Sequence, residues 1–381
     1  MDMRENTEMT FRDRLYGEKA QELFQPIVPK ITHISSLVVN EAKEKFSIPK
    51  YIDGKHLDVR WIASDAVRAC AGLLDGDINK HHISISYGFP VSIYKDAILF
   101  PQMCTRHFSD AKYDELFNIL DYGCGRKNIL PAGTSHESTK IDFFIYSLVW
   151  IYLHEQSHLF QCHWQFLKNA SASDDGEFNY FIEDAEFSLF LQQDVSERDA
   201  WLRHCLELAA DYEAANLTFQ YLLFKESGVL RVKALWILIA GLTCLFHKFY
   251  GNRRDYHNGN AIGTHPDPSF RMRNIFASIM ALLENEHVQR YFETGAEPDL
   301  YNNAMFHAFN VANMYMKIAH FDDNSFPEFM TRFSDRGDEF RKYTSGINIL
   351  WRDLREQILR MHFGWRDVSI MPELHFVEQP A

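Results

Sequence analysis

His154, Glu155 and His158 stand in the order HExxH inside the apolar run IDFFIYSLVWIYLHEQSHLFQCHWQFL, residues 141–167. A helix turns by about 100° per residue, so two histidines four apart leave from nearly the same side and can grip one metal ion. Glu155 then sits slightly round the cylinder. It is too far aside to complete the ligand set but close enough to touch a water on the metal, and this spacing suits hydrolysis. The preceding turns, FFIYSLVWIYL, are almost wholly apolar, so the helix is expected to be buried on most of its circumference. Burying three ionisable side chains there without partners is costly, and a metal offsets that cost.

A catalytic zinc keeps three protein ligands and one open position, so the two histidines leave it one ligand short. The candidates are His163, His204, Glu207 and Asp211, with Glu183, Asp184 and Glu186 in reserve. His163 lies five residues after His158 and points away from the pair as long as the helix is unbroken. The HExxHxxGxxH pattern would place its third histidine at Trp164. Glu207 fits better. It lies in ELAAD on a later helix that opens with the capping sequence Ser196, Glu197 and Asp199, and the alanines between Glu207 and Asp211 let two helices approach closely. Asp211, one turn on along the same face, can accept the second ring proton of a ligating histidine. His204 is the main rival to Glu207.

HExxH followed by ExxxD on a later helix resembles the gluzincin metallopeptidases, in which the Glu of the second motif is the third zinc ligand. ELAADYEA and THPDPSFRM, the latter at 264–272, are similar to the ExxAD and THP…R elements of the heat-shock and prenyl-protein zinc endopeptidases. HEQSHLFQCH also resembles intracellular peptidases such as the phage-exclusion protease Lit, with Cys162 where those often place Gly. The resemblance covers about residues 141–276. It implies a zincin-like centre with Zn2+ on His154, His158 and Glu207, supported by Asp211, and Glu155 as general base. For a second donor to the oxyanion, the loop 251–271 offers Tyr256, His257, His265 and Arg271, and the resemblance points to His265 and Arg271. The plain alternative is that His265 shapes the loop and Arg271 pairs with an acid.

The expected fold class is α+β, mostly α: a zincin-like core with a small N-terminal β-hairpin or sheet and extra C-terminal helices. An N-terminal α+β portion over 1–135 and a mainly helical metallopeptidase portion over 136–381 are expected, or one continuous domain. WIASDAVRACAGLL reads as helical with a stop at Gly76, and HHISISYGFPVSIYKDAILFP as two strands either side of Gly88 and Pro90. A helix is expected over SDAKYDELFNIL, a short one over FIEDAEFSLFLQQ, and long amphipathic helices over 268–295, 298–320 and 324–363.

The net charge of −13 in 381 residues argues against nucleic-acid binding, which needs basic surface to displace counterions from phosphate. Six scattered cysteines without a CxxC pair, and a polar N-terminus without an apolar core, point to reduced thiols and a cytoplasmic location. ALWILIAGLTCLF, 234–246, is read as a core helix, so no stable membrane insertion is expected. YGCGRK lacks Walker spacing. The expected partner is a protein or peptide substrate. Two further readings stay open: a regulatory metal-binding protein without catalysis, and a zinc hydrolase acting on a small amide.

Overall fold

The structure is a computed structural model that describes residues 28–52, 54–106, 129–170, 181–184, 196–250, 259–320, 325–334, 337–363 and 371–372. The helix that carries HExxH begins at His136. Its start is a capping box, in which the Ser135 hydroxyl accepts from the Ser138 amide and the Ser138 hydroxyl accepts from the Ser135 amide. In chain order the helices of this core are α1 (Val28–Ala42), α2 (Gly88–Arg106), α3 (His136–Phe160), α4 (His163–Ala170), α5 (Glu197–Lys225), α6 (Val232–Tyr250) and α7 (Pro268–Leu283). Every residue of α3 from Tyr146 to Phe160 is buried, because α1, α2, α5 and α6 pack round it and a strand crosses it. One apolar core draws on Ile31 to Cys104 and on Phe143 to Phe363, on both sides of position 135.

That strand belongs to a four-stranded sheet in the order β1-β3-β2-β4: β1 (His56–Ile62), β2 (Ala69–Leu74), β3 (Asp77–Ser86) and β4 (Phe181–Asp184). β1 runs parallel to β3, whereas β2 runs antiparallel to both β3 and β4. The mostly helical α+β class therefore holds, but several elements differ from the sequence expectation. The expected helix over WIASDAVRACAGLL is the end of β1, a loop and β2. A central strand buried on both faces reads as a continuous apolar run, which periodicity cannot tell from a buried helix. Gly76 is no helix stop; with Asp75 it turns the β2–β3 hairpin, and both residues have positive φ, +54° and +69°. Asp-Gly favours this two-residue turn.

The second expected strand, after Gly88, is instead α2. Phe89, Ile93, Ala97, Phe100 and Cys104 are all buried at helical spacing, and Pro90 sits in the first turn, where a missing N–H costs nothing. FIED, expected as helix, pairs with β2 as β4, a long-range contact that overrides local propensity. The expected helix over SDAKYDELFNIL lies outside the described residues.

α6 is long and apolar enough to cross a membrane by length and composition, and 83% of that span, Val232–Phe249, is buried within the protein. It packs on α3 so closely that a side chain at Gly241 would meet the Ser147 hydroxyl. Beyond α7 come α8 (Glu286–Gln289), α9 (Pro298–His320), α10 (Ser325–Ser334) and α11 (Asp338–Met361). A second apolar cluster holds α11 against the start of α5 through Trp351, Ile347, Tyr343, Leu208 and Ala200.

Candidate metal centre

α3 and α5 pack side by side, and this brings the residues of the two motifs together. His154, His158 and Glu207 each offer one ligand atom, all within 4.8 Å of one another, and all three residues are buried. The two Nε2 atoms are 3.1 Å apart; Glu207 Oε2 lies 3.5 Å from His154 Nε2, and Oε1 lies 3.4 Å from His158 Nε2. His154 Nδ1 is 3.0 Å from Asp211 Oδ1, at hydrogen-bond distance. A proton on Nδ1 leaves Nε2 as a bare lone pair. Burial, reinforced by His154, His163, Arg271 and His265, holds the His158 ring well below its ordinary pKa, so it too is neutral.

Two imidazole lone pairs and a carboxylate therefore face each other with little solvent between them. Glu207 Oε2 is buried without a hydrogen bond, with Arg271 Nη2 at ion-pair distance of 3.4 Å, and a buried carboxylate oxygen so loosely served gains from a closer cation. The donor set of two neutral histidines and one carboxylate fits a divalent metal. One positive charge is already close: Arg271 is fully buried, donating from Nε to Asp211 Oδ2 at 2.8 Å and from Nη2 to Oδ1 at 2.9 Å. Burial alone would raise the Asp211 carboxyl, but the Arg271 charge and hydrogen bonds, with His154, outweigh it and hold it below the usual range. Arg271 is shared: besides Asp211, its Nη2 lies 3.4 Å from Glu207 Oε2 and 3.3 Å from His154 Nε2, so one fixed positive charge faces two buried carboxylates.

Glu155 is 1% exposed and faces β2, where its negative charge adds to burial in pushing the Cys70 thiol up to about 12. His265 follows Thr264, whose hydroxyl is 2.8 Å from His265 Nδ1; His265 Nε2 is 3.7 Å from Glu207 Oε1. A small cleft, of a size to hold little more than a water molecule, opens beside the cluster. Its lining includes His158, Glu207, His265, Thr264 and Arg203. The two residues expected to serve an oxyanion thus stand differently. His265 borders the cleft, whereas Arg271 does not line it and is bonded to Asp211, with Nη2 also 3.4 Å from Glu207 Oε2 and 3.3 Å from His154 Nε2. Tyr256, His257 and Glu186 lie outside the described residues, and Glu183 and Asp184 are part of β4. The rival ligand His204 has both ring nitrogens engaged, Nδ1 with the Tyr343 hydroxyl at 2.8 Å and Nε2 with the Ile262 carbonyl at 3.1 Å.

His163 would point away from the site on an unbroken helix, but the helix is broken. α3 ends at Phe160, Cys162 adopts a left-handed φ of +52°, and α4 starts at His163, whose Nδ1 comes back to 2.8 Å from His158 Nδ1. Positive φ is the conformation that glycine adopts most readily, so the position where the resembling peptidases often carry Gly was the available signal. Arg203, one turn before Glu207, also borders the cleft, and nothing in the sequence singles it out. Its Nε is buried without a hydrogen-bond partner at the edge of the cleft.

A family model described as Peptidase U49 matches residues 131–292. This match supports a peptidase. The matched stretch contains the whole His154, His158 and Glu207 cluster together with Asp211, His265 and Arg271. No curated protein and no solved structure matches the chain.

Proposed function

We propose that the protein is a zinc-dependent endopeptidase of the gluzincin type, which hydrolyses a peptide bond in a protein substrate. The observation that carries this reading is the convergence of His154, His158 and Glu207, from two helices far apart in the chain, on one buried point within residues that match a peptidase family. His154 Nε2, His158 Nε2 and the Glu207 carboxylate would hold the metal. A bound zinc ion supplies Lewis acidity there, lowering the pKa of water toward about 7 and polarising a carbonyl.

The remaining work falls to the chain's own groups. Glu155, next in sequence to a ligand, takes the proton of the attacking water and returns it to the leaving amine. Asp211 accepts the Nδ1 proton of His154 and fixes which nitrogen faces the metal. Arg271 locks Asp211 in place and so acts by positioning. His265, at the cleft, is the better placed of the two expected donors to the carbonyl oxygen of a substrate, and the Arg203 guanidinium can hold a polar group of the substrate beside it.

Elemental analysis of the purified protein tests the metal. Glu155→Gln is expected to retain one equivalent of zinc and lose cleavage, whereas His154→Ala loses both. Comparing the proteomes of cells that make wild type or Glu155→Gln identifies the cleaved substrate, and cleavage retained by Glu155→Gln refutes the general-base assignment. The near-complete burial of the cluster favours one second reading, a regulatory protein that binds the metal without catalysis. One equivalent of zinc with identical proteomes from the two strains would select it.

A further inference from the structure

We infer that His163 is a positioning residue that fixes the tautomer of His158 through a buried relay running by way of Gln161 to Glu213 and His362. The inference rests on the metal reading of His154, His158 and Glu207. The direction of the relay can be worked out from its far end. Gln161 Nε2 lies 3.0 Å from the Ala209 carbonyl and 2.8 Å from Glu213 Oε2, and a carbonyl can only accept. The amide nitrogen therefore belongs on that side, and Gln161 Oε1 faces His163 Nε2 at 2.8 Å. Oε1 is an acceptor, so the His163 proton sits on Nε2 and His163 Nδ1 carries a lone pair.

That lone pair is 2.8 Å from His158 Nδ1, and both rings are buried. The contact is a hydrogen bond only if His158 Nδ1 carries the proton. His158 Nε2, facing His154 and Glu207, is then left as the bare donor a metal requires. The far end is anchored by His362, whose Nε2 is 3.0 Å from Glu213 Oε1. His362 closes α11, so the last long helix, outside the stretch matched by the peptidase family, braces a ligand of the centre.

The two ligand histidines are thus oriented by different means. His154 meets the Asp211 carboxylate directly, whereas His158 reaches the Glu213 carboxylate through an imidazole and an amide. The break at Gln161–Cys162 makes this possible: on an unbroken helix, His163 would point about 140° round from His158.

The test is zinc affinity, by competition with a chromophoric chelator, together with the visible spectrum of the Co2+-substituted full-length protein. Loss of a partner that orients a ligand typically weakens metal binding 10–100-fold. His163→Leu, which removes the acceptor, is expected to lose affinity by about that factor and to shift the Co2+ bands. His163→Asn, whose amide oxygen can stand where Nδ1 stood, is expected to recover most of both. If His163→Leu does not fold, Gln161→Met carries the test, since it leaves His163 in place with its tautomer unfixed; a loss of about fivefold or more is expected. Folded His163→Leu or Gln161→Met with zinc affinity within about twofold of wild type and an unchanged Co2+ spectrum overturns the relay while leaving the metal reading intact. Wild type that binds no zinc overturns both.

Discussion

Removing Asp211 separates two effects that share one carboxylate. Asp211 and Arg271 are both fully buried and joined by hydrogen bonds of 2.8 and 2.9 Å. Asp211→Ala takes from a buried guanidinium its two short hydrogen bonds and leaves it only the Glu207 carboxylate at 3.4 Å, so the loss is expected to reach at most about 3–5 kcal/mol, the cost of breaking a buried pair from one side. The same substitution takes away the acceptor 3.0 Å from His154 Nδ1. Loss of that partner should weaken zinc binding about 10–100-fold, equivalent to about 1.4–2.7 kcal/mol. The double variant Asp211→Ala/Arg271→Met distinguishes the two, because it removes the under-compensated charge without restoring the acceptor. Urea unfolding of the metal-free protein should show the double variant to be more stable than Asp211→Ala alone, while chelator competition shows the two equally weak for zinc. Additive losses of stability would refute the coupling of the pair. A double variant with wild-type zinc affinity would refute the role of Asp211 in orienting His154.

Two other outcomes follow from the packing and from buried histidines. Gly241→Ala should destabilise the protein by about 1–3 kcal/mol, since its methyl group meets the Ser147 hydroxyl where α6 crosses α3; Ser147→Gly should relieve much of this, and urea midpoints of the single and double variants check it. Burial pushes the rings of His307 and His81 down to about 4 from 6.5, so between these values the unfolded chain binds more protons than the folded one. Stability is therefore fully present above about pH 6.5 and falls as the pH drops toward 4, by at most about 1.4 kcal/mol per pH unit for each group. His307→Asn, which keeps an acceptor for the Trp236 indole N–H, should reduce that slope in chelator-treated protein, and a slope equal to that of wild type would refute the assignment.

Much of the site was legible because its chemistry is local. HExxH places two imidazoles on one side of a helix whatever surrounds it, and ELAAD does the same for a pair of carboxylates. The long apolar runs of α3 and α6 marked core helices for the same reason. Elements whose type depends on distant neighbours were harder to read. β2 is strand because β3 and β4 flank it, and VSIYKDAILF is helix because its apolar face packs on α3. For Arg271 the sequence left open a donor to the substrate and an ion-pair partner; in the structure it is bonded to Asp211 with Nη2 also 3.4 Å from Glu207 Oε2, whereas His265 borders the cleft.

By itself, the order of residues determined which groups share a helix face and hence which chemistry the chain can attempt. Only the tertiary structure decided that α3 and α5 lie close enough for His154, His158 and Glu207 to meet, and that a left-handed Cys162 turns His163 back toward the site. The physical reason is range. Helix periodicity acts over a few residues, whereas the distance between two helices depends on the whole core packed round them, and a single positive φ redirects everything that follows it.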